Sequence, residues 1–396
     1  ISYYTIDPSI NLGILNHIDG KLSTTIQQIT IPSSVVAISG SLFRGFNSLT
    51  QITIPPSVSS IGGEAFDFCF SLTTVNIEAS ISSIEDCTFR ECPKLSHISI
   101  PSSVTSIGNY AFSGCSSLTK IEMPNSVIKI GYYSFYKCSS LKEVTLSSSL
   151  TSINKYSFGL CSSLLKIEIP SSVKDIDKNA FFGCSSLEQI TIPSTVTYFG
   201  NNAFFNCSSM KEFSIPPYIR TISYCNFKGC SSLVQISIPS SVTLIRNYAF
   251  DSCSLLEQII IPSSVIEIQD NAFAGCISLK TILIPSSVNK MGIEIFSGCK
   301  SLKEVSIPFS ITSIGNFVFN ECSSLENIII PSSVTKIGEY AFNACSSLKQ
   351  ISIPSTVTFI GNGAFNNCKL LKKVIISPQT QIGEKVFPSG TKVKRE

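Results

Sequence analysis

Apolar and polar positions alternate along this chain in a pattern that returns every 23 residues. In the segment Pro101 to Met123, P-S-S-V-T-S-I-G-N-Y-A-F-S-G-C-S-S-L-T-K-I-E-M, the apolar slots are Val104, Ile107, Phe112, Cys115, Leu118, Ile121 and Met123. The Phe slot recurs from Phe43 to Phe365, fifteen times, with no insertion or deletion. A Cys follows three residues later from Cys69 to Cys368, fourteen in a row, and Phe46 takes that slot in the first coil. So strict a period overrides the usual expectation of several globular domains for a chain of this length.

Each coil predicts two extended pieces joined by a tight segment. Ile121 and Met123 alternate with Glu122, the period-two pattern of a strand with one buried face. The Pro that follows in most coils lacks an N–H, so this strand stays short. Val104-x-x-Ile107 predicts a second, shorter strand. Gly often comes next, as at Gly108 and Gly131, but Ser39, Glu85, Arg246 and Gln269 share the slot. A left-handed backbone is therefore not obligatory there. Phe112, Cys115 and Leu118, three apart, fit a helical or 3₁₀ turn.

One coil buries too little apolar surface to offset the ordering of 23 residues, so the coils must stack. The expected architecture is a leucine-rich-repeat-like solenoid with a parallel β-sheet on one side, short second strands and short helical or 3₁₀ turns. Residues 1–31 carry the spacing only in part and read as a degenerate capping coil. Residues 32–376 are fifteen 23-residue repeats. Residues 377–396 read as a half-coil cap and a polar tail, with Pro388 to Glu396 expected to fray.

The pattern F-x-x-C-x-x-L-x-x-I-x-I-P-x-x-V-x-x-I-G resembles the BspA-type leucine-rich repeat of bacterial and protozoan surface antigens, over about residues 26–387. The resemblance implies a right-handed solenoid, a place at the cell surface or in secretion, and adhesion to host or matrix proteins. The chain departs from ordinary leucine-rich repeats, in which Asn or Cys follows the strand. Here Pro-Ser-Ser follows it and the Cys precedes it.

Composition narrows the picture further. Apolar residues make up 43% of the chain and charged residues 14%, so a large core is affordable and disorder is excluded. The net charge is +3, with no basic stripe, which argues against nucleic acid as a partner. No apolar run approaches the ~20 residues of a membrane helix. The chain begins at Ile1 and shows no signal peptide, which leaves localisation open: surface or secreted by the resemblance, cytoplasmic as the alternative.

Candidate chemistry is sparse. Residues equivalent on stacked coils point the same way about 4.8 Å apart, which suits buried thiols better than disulfides. Cys87 and Cys225 lie outside the ladder, two residues before a Phe, where exposure would make them reactive. No C-x-x-C pair, P-loop, dinucleotide fingerprint or G-x-S-x-G occurs, and His17 and His97 are the only histidines. The expectation is therefore no enzyme, no metal and no cofactor, with protein or glycoprotein ligands.

The variable positions lie on the outer face of the main strand. One row includes Gln258, Thr281, Glu304 and Asn327. A parallel row is polar from Thr53 through Thr145 and Thr191 to Ser237. It then turns partly apolar at Ile260, Leu283, Ile329 and Ile375, interrupted by Ser306 and Ser352. Gln258, Ile260, Thr281, Leu283, Glu304, Asn327 and Ile329 are the candidate partner-binding residues. A preference of branched residues for strand surfaces would also explain the apolar ones.

Overall fold

A computed structural model describes residues 3–5, 14–15 and 24–396. It divides into two compact units, Ile1–Ala203 and Phe204–Glu396. Each is a stack of coils whose strands pair in parallel with the equivalent strands of neighbouring coils.

In the first unit the main strands form two sheets in chain order. One runs Tyr3–Thr5, Gln28–Thr30, Gln51–Ile54, Thr74–Ile77, His97–Ile98, and the other runs Lys120–Glu122, Glu143–Thr145, Lys166–Glu168, Gln189–Thr191. The register steps by one repeat: Lys120 pairs with Glu143, and Lys166 with Gln189. Two-residue strands such as Ser83–Ile84, Ser106–Ile107 and Lys129–Ile130 make the second set. The alternation read from sequence holds: Lys120 and Glu122 are exposed, while Ile121 and Met123 are buried.

The second unit repeats this plan. Glu212–Ser214 pairs with Gln235–Ser237, Thr281–Leu283 with Glu304–Ser306, and Leu244–Ile245 with Glu267–Ile268. The end of the chain corrects an expectation. Instead of fraying, Lys392–Arg395 forms a strand parallel to Lys373–Ile376. Its backbone is fixed at both ends, Lys392 N donating to Lys372 O at 2.8 Å and Glu396 N to Ile376 O at 3.0 Å. Continuing the ladder satisfies amides that a frayed tail would leave to water.

The core of each unit is a set of residue stacks. Phe89, Phe112 and Phe135 lie face to face, with ring centroids 5.5 and 5.2 Å apart, and Phe227, Phe250 and Phe273 do the same at 5.5 and 5.3 Å. The turn serines are part of the frame as well. Ser126 Oγ donates to Val104 O at 2.7 Å, and Ser264 Oγ to Val242 O at 2.7 Å, so each hydroxyl ties its coil to the one before.

The segment between the strands is not helical. Cys115 N donates to Phe112 O and Leu118 N to Cys115 O, the three-residue spacing of 3₁₀ bonds. The run does not propagate because left-handed residues flank the Phe, Tyr110 at φ 56° and Gly114 at φ 78°. The same pair recurs as Tyr248 and Ser252 in the second unit. Adjacent coils hold this backbone: Tyr110 N donates to Tyr132 O, Phe112 N to Ser134 O and Gly114 N to Tyr136 O. Gly108, by contrast, has no left-handed backbone. It is needed because a Cβ there would stand 2.5 Å from Asp86 N on the neighbouring coil.

Candidate partner-binding surface

The candidate residues fall within the second unit and share one face. Gln258 bridges to Thr281, which sets Ile260 in register beside Leu283. Leu283 pairs with Ser306, Ser306 bridges to Ile329, and Ile329 bridges to Ser352. The apolar row is thus continuous, with Ser306 as its one polar break between Ile260 and Ile329. At about 4.8 Å per coil, it extends some three steps, about 14 Å.

The row stands in solvent, like the polar residues Thr145, Thr191 and Ser214 at the same slot of other coils, and differs from them in being apolar. Ile260 is 83% exposed, Leu283 70% and Ile329 82%. Their chain neighbours Ile259, Ile282 and Ile328 point inward and are buried. Gln258, Thr281, Glu304 and Asn327 are exposed and frame the row with uncharged or singly charged groups. Sequence reading missed Phe309, which is 74% exposed and lies three residues beyond Ser306. Its signal was available, because Phe309 occupies the slot after the strand-ending Pro that holds Ser in most coils.

The cysteines are packing elements. All sixteen are free and buried. The ladder thiols meet carbonyls of the previous coil, as in Cys115 Sγ to Phe89 O at 3.1 Å and Cys276 Sγ to Phe250 O at 3.2 Å. Burial pushes the thiols of Cys184, Cys230 and Cys299 up to about 12. Cys87 and Cys225, candidates for reactivity if exposed, are buried too, and burial raises both. Their slot is the left-handed one before the Phe, with φ 56° and 53°. His97 is exposed, with Nδ1 3.0 Å from Ser96 Oγ, and His17 lies outside the described residues. Among the described residues no group of three His, Cys, Asp or Glu could hold a metal, and no helix is long and apolar enough to cross a membrane.

The repeat can now be compared with known proteins. A family model, the BspA type leucine rich repeat region (6 copies), matches residues 22–126, 82–210, 174–300 and 267–394. The chain belongs to the BspA-type leucine-rich repeat family. A solved leucine-rich repeat protein from Bacteroides ovatus shares 29% identity with this BspA-type chain at a TM-score of 0.75. The match covers 97% of this chain and 94% of that one. A leucine rich cell surface protein from Faecalibacterium prausnitzii shares 25% identity over 95% of this chain and 90% of its own, with a TM-score of 0.49. No curated protein matches the chain. The BspA-type assignment accounts for the coil, its Phe and Cys ladders and the parallel sheets. The row at Ile260, Leu283 and Ile329 lies at positions that vary from coil to coil.

Proposed function

We propose that this BspA-type protein is a non-enzymatic binding module of the cell surface or of secretion. Its outer strand face in the second unit engages host or matrix proteins or glycoproteins. The observation that carries the reading is the apolar row Ile260, Leu283 and Ile329, whose side chains stand in solvent while their neighbours fill the core. Exposed apolar side chains framed by polar ones have the make-up of a protein-contact patch. Gln258, Thr281, Glu304 and Asn327 supply hydrogen-bonding groups at the rim. The family supports the surface assignment.

A second reading, an intracellular scaffold that uses the same face, draws on the sixteen free thiols, which suit a reducing compartment. A pull-down with the full chain immobilised, run in parallel against extracellular-matrix proteins and the source cell's cytosol, separates the two. Saturable capture of a matrix protein supports the adhesive reading. Capture from cytosol alone overturns it in favour of the scaffold.

A further inference from the structure

An open groove lies in the first unit, far in sequence from the apolar row. Two residue slots after the short strand come together there across four consecutive coils. Asp86, Asn109, Tyr132 and Lys155 occupy one slot, and Tyr110 and Tyr133 the next. With Asp177 they line an open groove of about 590 Å³, within the range of small-molecule sites. Five of the twelve tyrosines fall between Tyr110 and Tyr156.

The tyrosines divide into a wall and a platform. Tyr133 is stacked between Tyr110 and Tyr156, with centroids 4.7 and 4.6 Å away, so both its faces are covered. The Lys155 ammonium sits 5.9 Å from its centroid. Tyr132 is different. It is 51% exposed and stacks on no other ring among the described residues. About half of it is therefore in solvent and available to a ligand.

The polar groups are held in place beforehand. Asp86 Oδ1 accepts from Asn109 N at 2.6 Å and Oδ2 from Asn109 Nδ2 at 3.1 Å. Asn109 Oδ1 accepts from Tyr132 N at 2.8 Å. Asp177 Oδ1 accepts from Lys178 N at 2.6 Å. Each carboxylate oxygen retains a second lone pair for an outside donor. The backbone amides are already spent, because Cys87 N, Tyr110 N and Tyr133 N all donate to carbonyls of the next coil. The amides of these three lining residues are therefore taken up by the fold. Recognition here draws mainly on side chains.

We propose that this groove binds a neutral oligosaccharide. The C–H face of a pyranose packs on the open ring of Tyr132, and its hydroxyls donate to Asp86 and Asp177 and accept from Lys155. Two carboxylates and one ammonium leave little net charge, which disfavours polyanions. The coil spacing repeats the slots at about 4.8 Å, so successive sugar units meet successive coils.

The test is titration calorimetry of the full chain with β-1,4-linked hexasaccharides of glucose, mannose and N-acetylglucosamine. Tyrosine emission is read in parallel, which the absence of Trp leaves unobscured. At least one hexasaccharide is expected to bind saturably. Tyr132→Ala should weaken it about tenfold or more, while Tyr132→Phe, which keeps the ring, should stay within about threefold. The Leu283→Glu/Ile329→Glu variant should bind the sugar normally, which keeps this site separate from the protein-binding face. Binding by none of the three sugars would overturn the proposal, as would equal binding by Tyr132→Ala. Tyr132-dependent capture of a polyproline peptide in place of sugar would overturn the ligand class.

Discussion

Cys115 Sγ donates to the carbonyl of Phe89, 26 residues earlier, at 3.1 Å. The relationship recurs coil after coil within each unit and explains why a thiol occupies this slot. The side chain is small enough for the core and adds a second donor to a carbonyl such as Phe250 O, which also accepts from Cys253 N at 3.1 Å. Cys115→Ala and Cys276→Ala should each cost about 1–2 kcal/mol in urea unfolding, from lost packing and a lost hydrogen bond. Unchanged urea midpoints would contradict the role.

The same burial makes a pH prediction. The thiols of Cys184, Cys230 and Cys299 rise to about 12 from an ordinary value of 9.0. The folded state therefore keeps protons that the unfolded state loses between those values. Stability is whole below about pH 9 and falls as pH rises toward 12, by about 1.4 kcal/mol per pH unit for each such thiol. Urea midpoints should be level from pH 6 to 8 and lower at pH 10. The fall should be shallower in Cys184→Ala/Cys230→Ala. An equal fall in that variant would assign the effect elsewhere.

Two kinds of glycine should respond differently. Gly298 has φ 74°, and a Cβ there would meet nothing nearer than 3.7 Å, so Gly298→Ala should cost about 1 kcal/mol through backbone alone. Gly131→Ala would place Cβ 2.4 Å from Asn109 N on the neighbouring coil and force the coils apart. Its loss should exceed that of Gly298→Ala clearly in thermal or urea unfolding. The reverse order would contradict the close-approach account.

How much of this was legible follows from what each feature depends on. The strands, their register and the Phe and Cys ladders depend on side-chain period, and that period is written in the slots of Phe112, Cys115, Ile121 and their equivalents. The left-handed residues depend instead on amide bonds from the next coil. Tyr110, Cys87, Asn271 and Glu294 all adopt that backbone, so no residue type marks it. The expected helical or 3₁₀ turn is present as single three-residue-spaced bonds, such as Cys115 N to Phe112 O and Leu118 N to Cys115 O, that do not propagate into a helix. The apolar row at Ile260, Leu283 and Ile329 could be read because it breaks a polar pattern. The tyrosine groove also lay in one slot, Asp86, Asn109, Tyr132 and Lys155 being 23 residues apart, but its depth and the stacking of Tyr133 between Tyr110 and Tyr156 depend on the folded side chains. Phe309 broke a Ser pattern that was read only as turns.

The first unit carries a buried charge cluster. Asp67 is fully buried and receives both Arg90 Nε at 2.9 Å and Nη2 at 2.6 Å, with Arg44 Nε at 3.3 Å. Arg90→Ala leaves the buried carboxylate only the more exposed Arg44 at 3.3 Å and should cost up to about 3–5 kcal/mol. Arg44 is largely exposed, and Arg44→Ala should cost no more than about 1 kcal/mol. Chemical unfolding of the two variants checks this ordering, and equal losses would contradict it.

The most direct test of the central claim measures partner affinity for a matrix protein captured by the chain, comparing wild type with Leu283→Glu/Ile329→Glu. Thr145→Glu/Thr191→Glu, on the polar row of the first unit, serves as the control. All three should unfold within about 0.5 kcal/mol of one another, since these side chains face solvent. The account predicts that binding is lost in the Leu283/Ile329 variant and kept in the control. Undiminished binding in the Leu283/Ile329 variant would contradict it.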